Sequence, residues 1–281
     1  MRARLGSPWI LLLPSIVLLA TLFGWPLVRA VFDAFSDDHG FTLAHWRRLF
    51  DDPYFLTSLR NTLLLIVIVV PIQLVLAVGM ALLMQARPRF ASAHFYLWCV
   101  PLAISELAAG LVWLSIFGNR GYLNSLLVRL GLSADGVQWL NYHHTGTMLL
   151  AVVIAEIWRA TSLVFVIVVA GVQLIPRDYD EAAQVFGANF WQRLRHVTLP
   201  QLGPSLQVAL ILRTILALQA FAVAQALTGR DFPLLVGETY EWYANLQNPA
   251  VASAVSLVVL AISLGTAVFY LRTVRVPEGS R

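Results

Sequence analysis

Six long apolar runs decide what this chain can become. They run roughly from Pro8 to Phe32, Ser58 to Gln85, Phe90 to Phe117, Gly146 to Ile175, Gly203 to Thr228 and Ala250 to Leu271. Each is long enough to cross a bilayer as a helix, which takes about 20 residues. Of the 281 residues 59% are hydrophobic and 12% charged, against about a quarter charged in a soluble domain. A water-facing shell cannot be assembled from that composition, so lipid is the expected solvent for most of the surface. Pro14, Pro26, Pro71 and Pro101 fall inside the runs, which spanning helices tolerate when neighbours satisfy the freed carbonyls. The reading is an all-α polytopic membrane protein with six transmembrane helices, residues 1–281 forming one transmembrane domain. Arg2 and Arg4 precede the first run as in a secretory signal. That run is too long for one and no small-x-small cleavage site follows it, so it is expected to be retained.

Arginine placement sets the expected orientation. Arg2, Arg4, Arg87, Arg89, Arg177, Arg193, Arg195, Arg272, Arg275 and Arg281 fall on one side. Arg47, Arg48, Arg120, Arg129 and Arg230 fall on the other, diluted by Asp33, Asp37, Asp38, Asp51 and Asp52. The positive-inside rule then puts both termini in the cytoplasm of a multi-pass protein. The net charge of +4 follows from this topology and implies no nucleic-acid partner. Cys99 is the single cysteine, so no disulfide or cysteine metal site forms within one chain. His143 and His144 are sequence neighbours, directed apart and without a third ligand, and metal ligands are expected nowhere. All nineteen basic residues are arginine. A phosphate-cradling P-loop needs lysine, so nucleotide energy must come from another subunit.

Between the fourth and fifth runs lies a polar stretch, residues 176–200, containing "DYDEAAQVFGANFWQRLRHVTLP". Pro176 closes the run before it. Asp178 is placed to cap a helix, with Glu181 at capping-box spacing. That helix passes through "EAAQVF" and stops at Gly187, which tolerates a left-handed cap. Asn189 and Gln192 repeat the box for a second short helix, "FWQRLRHV", expected to end before Leu199-Pro200. Neither helix is long enough to be stable alone in water, so both must pack on something. Ala182 and Ala183 offer a shallow surface for a partner. A DNA-reading helix-turn-helix would need a third helix for a core, and both neighbours here are membrane runs.

"EAAQVFGANFWQRLRHVTLPQLGP" resembles the EAA loop of binding-protein-dependent ABC importer permeases. Glu181, Ala182, Ala183, Gly187, Val197, Leu199 and Pro200 match its order and spacing. "AGVQLIP" (Ala170 to Pro176) and "RNTLLL" (Arg60 to Leu65) resemble segments of the sugar-type, maltose-permease-like members. Phe186 departs from the pattern, since many relatives carry aspartate there. The resemblance implies that the loop is cytoplasmic and seats in a separate ATPase subunit. Asp180, Glu181, Ala182, Ala183, Phe186 and Gly187 would make the contact. It also implies a second permease, expected to be a non-identical homologue, as partner, a dimer of ATPase subunits that binds ATP and Mg, and an extracytoplasmic solute-binding protein. This chain would itself bind no cofactor, catalyse no reaction, and sit among lipid in the cytoplasmic membrane of a prokaryote. A sugar or related polyhydroxy solute is implied, with another small polar solute as the alternative.

Four charges fall inside the runs: Glu106, Glu156, Arg159 and Arg213. Each costs at least about 2.5 to 3.5 kcal/mol at bilayer depth, so each should face a partner or a cavity. Glu156 and Arg159 share a helix face and can pair. Glu106 and Arg213 are the natural candidates for a second, interhelical pair. Asn61 suits an interhelical hydrogen bond. The residues alone leave open whether the charges line a solute path or hold the bundle together, and an intramembrane enzyme built on Glu106, Glu156 and Arg159 stays as a rival. The resemblance points to a path formed by Glu106, Glu156, Trp158, Arg159, Arg213, Leu216, Ala217 and Ala220, with Trp113 and Trp158 able to stack on a sugar ring. Relatives carry mostly neutral groups there, so the charges are a departure. The stretch from Asn119 to Thr145 is expected to hold a short amphipathic helix, "LNSLLVRLGL".

Overall fold

The computed structural model describes residues 8–86, 88–133 and 136–273. Arg2, Arg4, Arg87, Arg275 and Arg281, used above for orientation, lie outside the described residues. Helix α1 (Pro8–Leu19) passes through a π turn (Ala20–Gly24) into α2 (Trp25–Phe35). A two-residue antiparallel ladder follows, β1 (Ser36–Asp37) with β2 (Gly40–Phe41). Helix α3 (Ala44–Phe50) leads to the 33-residue α4 (Pro53–Gln85). Asp52 starts α4 by accepting from the Tyr54 N–H, and Pro53 occupies a position where no amide donor is missed.

Helix α5 (Ala91–Cys99) runs into a 3-10 turn at Val100–Ala103. There the chain bends by 101° before α6 (Glu106–Phe117) and α7 (Tyr122–Arg129). The third apolar run is therefore a bent pair and not the straight span expected. Pro101 fixes the turn, and Ser105 restarts the helix by accepting from the Ala108 N–H. Helix α7 matches the amphipathic helix expected after residue 119. Its Asn124 Oδ1 accepts from the Val137 N–H and the Trp139 indole N–H, and its Nδ2 donates to the Val137 carbonyl, closing the loop behind it.

Helix α8 (Thr145–Gln173) is the axis of the fold. Beyond it come α9 (Arg177–Val185), α10 (Phe190–Arg193), a π turn (Leu194–Thr198), α11 (Leu199–Gln201) and α12 (Gly203–Leu218). The chain breaks again at Gln219–Phe221 before α13 (Ala222–Thr228), so the fifth expected run is two helices. Helix α14 (Leu235–Tyr240), a third π turn (Glu241–Asn245) and α15 (Pro249–Thr273) complete it. Among the described residues four helices are long and apolar enough to cross a membrane, at Leu12–Phe35, α4, α8 and α15, and up to six spans result if each bent pair counts as one.

Burial grades the spans. Of the apolar windows, 61% is buried in α8, 33% in α4, 11% in α15 and none in Leu12–Phe35. In lipid, exposed leucines cost little, because the tails are as apolar as they are. One core cluster joins α4, α6, α8 and α13 around Val69, Ala109, Met148 and Val223. A second, around Ala81, Phe165, Val168 and Leu202, packs α4 and α8 against the start of α12. Two glycines permit close approaches between helices. A Cβ on Gly110 would lie 2.6 Å from that of Ala226, and one on Gly171 would lie 2.6 Å from that of Ser205.

Candidate coupling elbow and buried charge network

The segment between α8 and α12 folds into an elbow. Its first helix begins at Arg177, directly after Pro176, with no side-chain cap. The expected Asp178–Glu181 capping box is therefore absent: Asp178 already lies in the first turn, where its charge favours the helix dipole instead. The helix ends as expected. Phe186 donates its N–H to Ala182, Ala188 to Ala183, and Gly187 sits at φ +79°, a conformation that glycine adopts at no steric cost. The second capping box forms in full, with Gln192 N–H donating to Asn189 Oδ1 at 2.9 Å and Asn189 N–H to Gln192 Oε1 at 2.8 Å. The helix it opens does not end before Leu199-Pro200. It continues through the π turn to Gln201, with Pro200 inside the continuous path just after that turn. A bend of 69° then leads into α12.

One tie fixes the two arms of the elbow: Arg193 Nη1 pairs with Asp180 Oδ2 at 3.2 Å. No residue of α9 is buried. Val185 and Phe186 are 86% and 90% exposed, which leaves an apolar tip beside the glycine. Such exposure of large side chains at the end of an ordered turn marks a surface that meets something else. Among the sequence-derived docking residues, Asp180 faces the second arm while Ala182, Phe186 and Gly187 lie exposed.

The four intramembrane charges come together, but not in the expected pairs. Glu156 and Arg159 do meet, at 3.2 Å. Glu106 pairs with Arg159 at 2.8 Å and Arg213 with Glu156 at 2.8 Å, so no Glu106–Arg213 pair exists. Geometry explains the exchange. The bend after Pro101 brings the first turn of α6 over α8, one turn from Glu156, where Arg159 intercepts it. A further member is Gln73 of α4, whose amide donates to the Glu156 carbonyl at 2.8 Å and accepts from Arg213 Nε. The chain Glu106–Arg159–Glu156–Arg213–Gln73 thus ties four helices with no net charge. Glu156 and Arg213 are 1% and 2% exposed, whereas Glu106 is 38% exposed at its side chain. Arg213 Nη1 and Arg159 Nε have no partner among the described residues.

Other path candidates are distributed unevenly. Trp158 packs edge-on to Trp113 with centroids 5.9 Å apart, and Trp113 stacks on Phe117, so the two indoles cover one another. Ala217 and Ala220 are buried, and Leu216 is 38% exposed. Asn61 donates to the carbonyl of Pro233 in the loop before α14, so its bond ties a helix to a loop and is not the interhelical one expected. Two residues escaped the sequence reading, Gln73 and Asn124. Each is a lone amide in an otherwise apolar helix face, which is the signal that would have found them.

Elbow and network share their supports. Helix α8 carries Glu156 and Arg159 and ends three residues before α9; α12 carries Arg213 and starts just after α11. Gly171 packs directly against Ser205 between the two helices, about 22 Å along α8 from Glu156 at 1.5 Å per residue.

Comparison with known proteins bears directly on this arrangement. The sulfoquinovosyl glycerol transport system permease protein SmoG of Agrobacterium fabrum is 32% identical over 96% of this chain and 90% of its own length. The sn-glycerol-3-phosphate transport system permease protein UgpA of Brucella abortus is 30% identical over 95% of this chain and 94% of its own. A bacterial ABC transporter involved in the import of the acidic polysaccharide alginate superposes with a TM-score of 0.80 at 20% identity, covering 96% of both chains, which establishes a common fold. Residues 5–275 match the family described as the binding-protein-dependent transport system inner membrane component, and the chain belongs to that family.

Proposed function

We propose that this chain is the sugar-translocating membrane subunit of an ATP-driven importer, with its elbow at the cytoplasmic face and both termini inside. The observation that carries the reading is the shared support of elbow and charge network. The relatives' transport of sulfoquinovosyl glycerol and sn-glycerol-3-phosphate favours a sugar or related polyhydroxy solute. An alginate transporter structure that includes a pentasaccharide-bound periplasmic protein favours a solute-binding protein on the outer side.

In this reading Asp180, Glu181, Ala182, Ala183, Phe186 and Gly187 form the face that seats in a separate ATPase, which binds ATP and Mg. A second permease completes the membrane pair, each contributing one such domain with six spans. Displacing the elbow shifts α8 against α12 at the Gly171–Ser205 contact. That motion loads the Glu156–Arg213 pair, since the partners ride on different helices. The exposed end of the network, Glu106 and Arg159, meets the solute, where paired carboxylate and guanidinium groups suit sugar hydroxyls. Glu156, Arg213 and Gln73 hold the frame, with Trp158, Leu216, Ala217 and Ala220 around it.

The test is solute uptake by cells carrying elbow variants. Glu181→Ala or Gly187→Val is expected to abolish uptake while the chain still inserts and the ATPase still hydrolyses ATP. Normal uptake by both would remove the elbow from the mechanism. A ligand screen on the associated solute receptor identifies the solute.

A further inference from the structure

We infer that the space behind the elbow is a phospholipid site. It takes an acyl chain in an apolar crevice, and in the polar cavity beside it a head group carrying both a phosphate and a primary ammonium. The crevice measures about 620 Å³ and separates α4 from the second arm of the elbow. Leu74, Val78 and Leu82 form one wall, with Leu194 and Leu206 opposite. At its rim Phe190 and Trp191 are 52% and 73% exposed, and such aromatic residues favour the boundary between hydrocarbon and head groups.

The polar cavity, about 380 Å³, shares Leu82, Ala86, Phe190 and Leu194 with the crevice. To these it adds Arg177, Asp180, Glu181, Gln184 and Arg193. The four from α9 recur at helical spacing, so they form the inner face of that helix. The cavity therefore presents two guanidinium groups and two carboxylates. Only Asp180 and Arg193 are paired with each other; Arg177 and Glu181 make no ion pair with a described residue. Asp180 Oδ2 already accepts from Gln184 and Arg193, so the groups lining the cavity that are left to engage a ligand are Arg177 and Glu181. A phosphate accepts from Arg177 beside Arg193, and a primary ammonium donates to Asp180 and Glu181. A quaternary ammonium has no N–H to give, and a head group without a cation leaves Glu181 facing the phosphate unrelieved. A helix from a second permease would fill the crevice but bring no anion to Arg177. The site rests on the proposed placement of the elbow at a membrane face; it shares Asp180 and Glu181 with the proposed ATPase contact, whose other residues, Ala182, Ala183, Phe186 and Gly187, line neither cavity.

The experiment uses the full chain with the subunits that co-purify with it, in phosphatidylcholine nanodiscs. These are doped with photoactivatable phosphatidylethanolamine, phosphatidylcholine or phosphatidylglycerol, and the labelled peptides are mapped. Phosphatidylethanolamine is expected to label residues 74–86 and 190–206 about tenfold more than either other probe, the loss expected for one charge-assisted hydrogen bond. Gly79→Trp, which projects into open space beside the crevice, should abolish that labelling. Arg177→Gln should lower it to the level of phosphatidylcholine. Equal labelling by all three probes, labelling indifferent to Gly79→Trp, or no labelling because another subunit covers the crevice would each overturn the site. ATPase retention is measured on the same samples. Loss of ATPase from an elbow variant that still labels leaves the lipid site standing, and ATPase retained without labelling leaves only the coupling reading.

Discussion

The elbow and the charge network hold their polar groups in opposite ways. In the network, Glu156 and Arg213 are almost wholly buried and every carboxylate oxygen that matters has a cation against it. In the elbow no residue of α9 is buried, and a single ion pair, with partners 20% and 40% exposed, joins the arms. An exposed pair of that kind contributes about 0–1 kcal/mol, whereas breaking a buried one leaves an uncompensated charge and costs about 3–5 kcal/mol. The network is therefore an anchor and the elbow a contact surface. Mutations in the first should be felt by the fold, and mutations in the second by transport.

Four outcomes break or sharpen that contrast. Arg213→Ala should cost about 3–5 kcal/mol of stability, seen as a collapse of the thermal melt in detergent. The double variant Glu156→Gln, Arg213→Met should recover most of it. If the single variant melts like the native chain, the network is no anchor. Gly171→Val, which drives a side chain into Ser205, should cost about 1–3 kcal/mol by overpacking and reduce uptake as well, because it sits where the two regions meet. Loss of stability with uptake unchanged would disconnect them.

A third cluster provides an intermediate case. Glu238 lies 2% exposed beside Arg230 at 3.4 Å. Burial pushes its carboxyl above the ordinary value of 4.5, and the Arg230 charge only partly opposes this. The folded form then holds the proton more tightly than the unfolded one. The stability this group contributes is complete below 4.5 and is lost as pH rises through the raised native value. Glu238→Gln should flatten that pH dependence; an unchanged melting profile across it would show another group responsible. The smallest effect on the fold belongs to Phe186→Ala. At 90% exposure it should change stability by less than about 0.5 kcal/mol while weakening ATPase retention. A large drop in melting temperature would mean the tip is packed within this chain.

Much of this was readable in the residues, and the exceptions have physical causes. Long apolar runs place the spans, because hydrocarbon forces each backbone to satisfy itself as helix. The Gly187 turn and the Asn189–Gln192 box were legible because they depend on neighbours in sequence. The bend after Pro101 had a marker whose consequence, a 101° turn, was not foreseen. The break at Gln219–Phe221 has neither proline nor glycine to announce it; packing of α13 on α6 sets it, and that is a tertiary effect. Composition identified all four intramembrane charges but not their pairing. Which carboxylate Arg159 meets depends on how α6 is folded back over α8, and no local pattern encodes that.

The three π turns carry a consequence for anyone threading this chain onto a relative. Each inserts one residue into an otherwise α-helical path, at Ala20–Gly24, Leu194–Thr198 and Glu241–Asn245. One residue is about 100° of rotation at 3.6 per turn. Against a relative that lacks the insertion, a gapless alignment across one of these points would therefore misassign everything beyond it by more than a quarter circle, swapping lipid-facing for inward-facing positions. Positional equivalences drawn between family members need to be anchored separately on either side of each insertion.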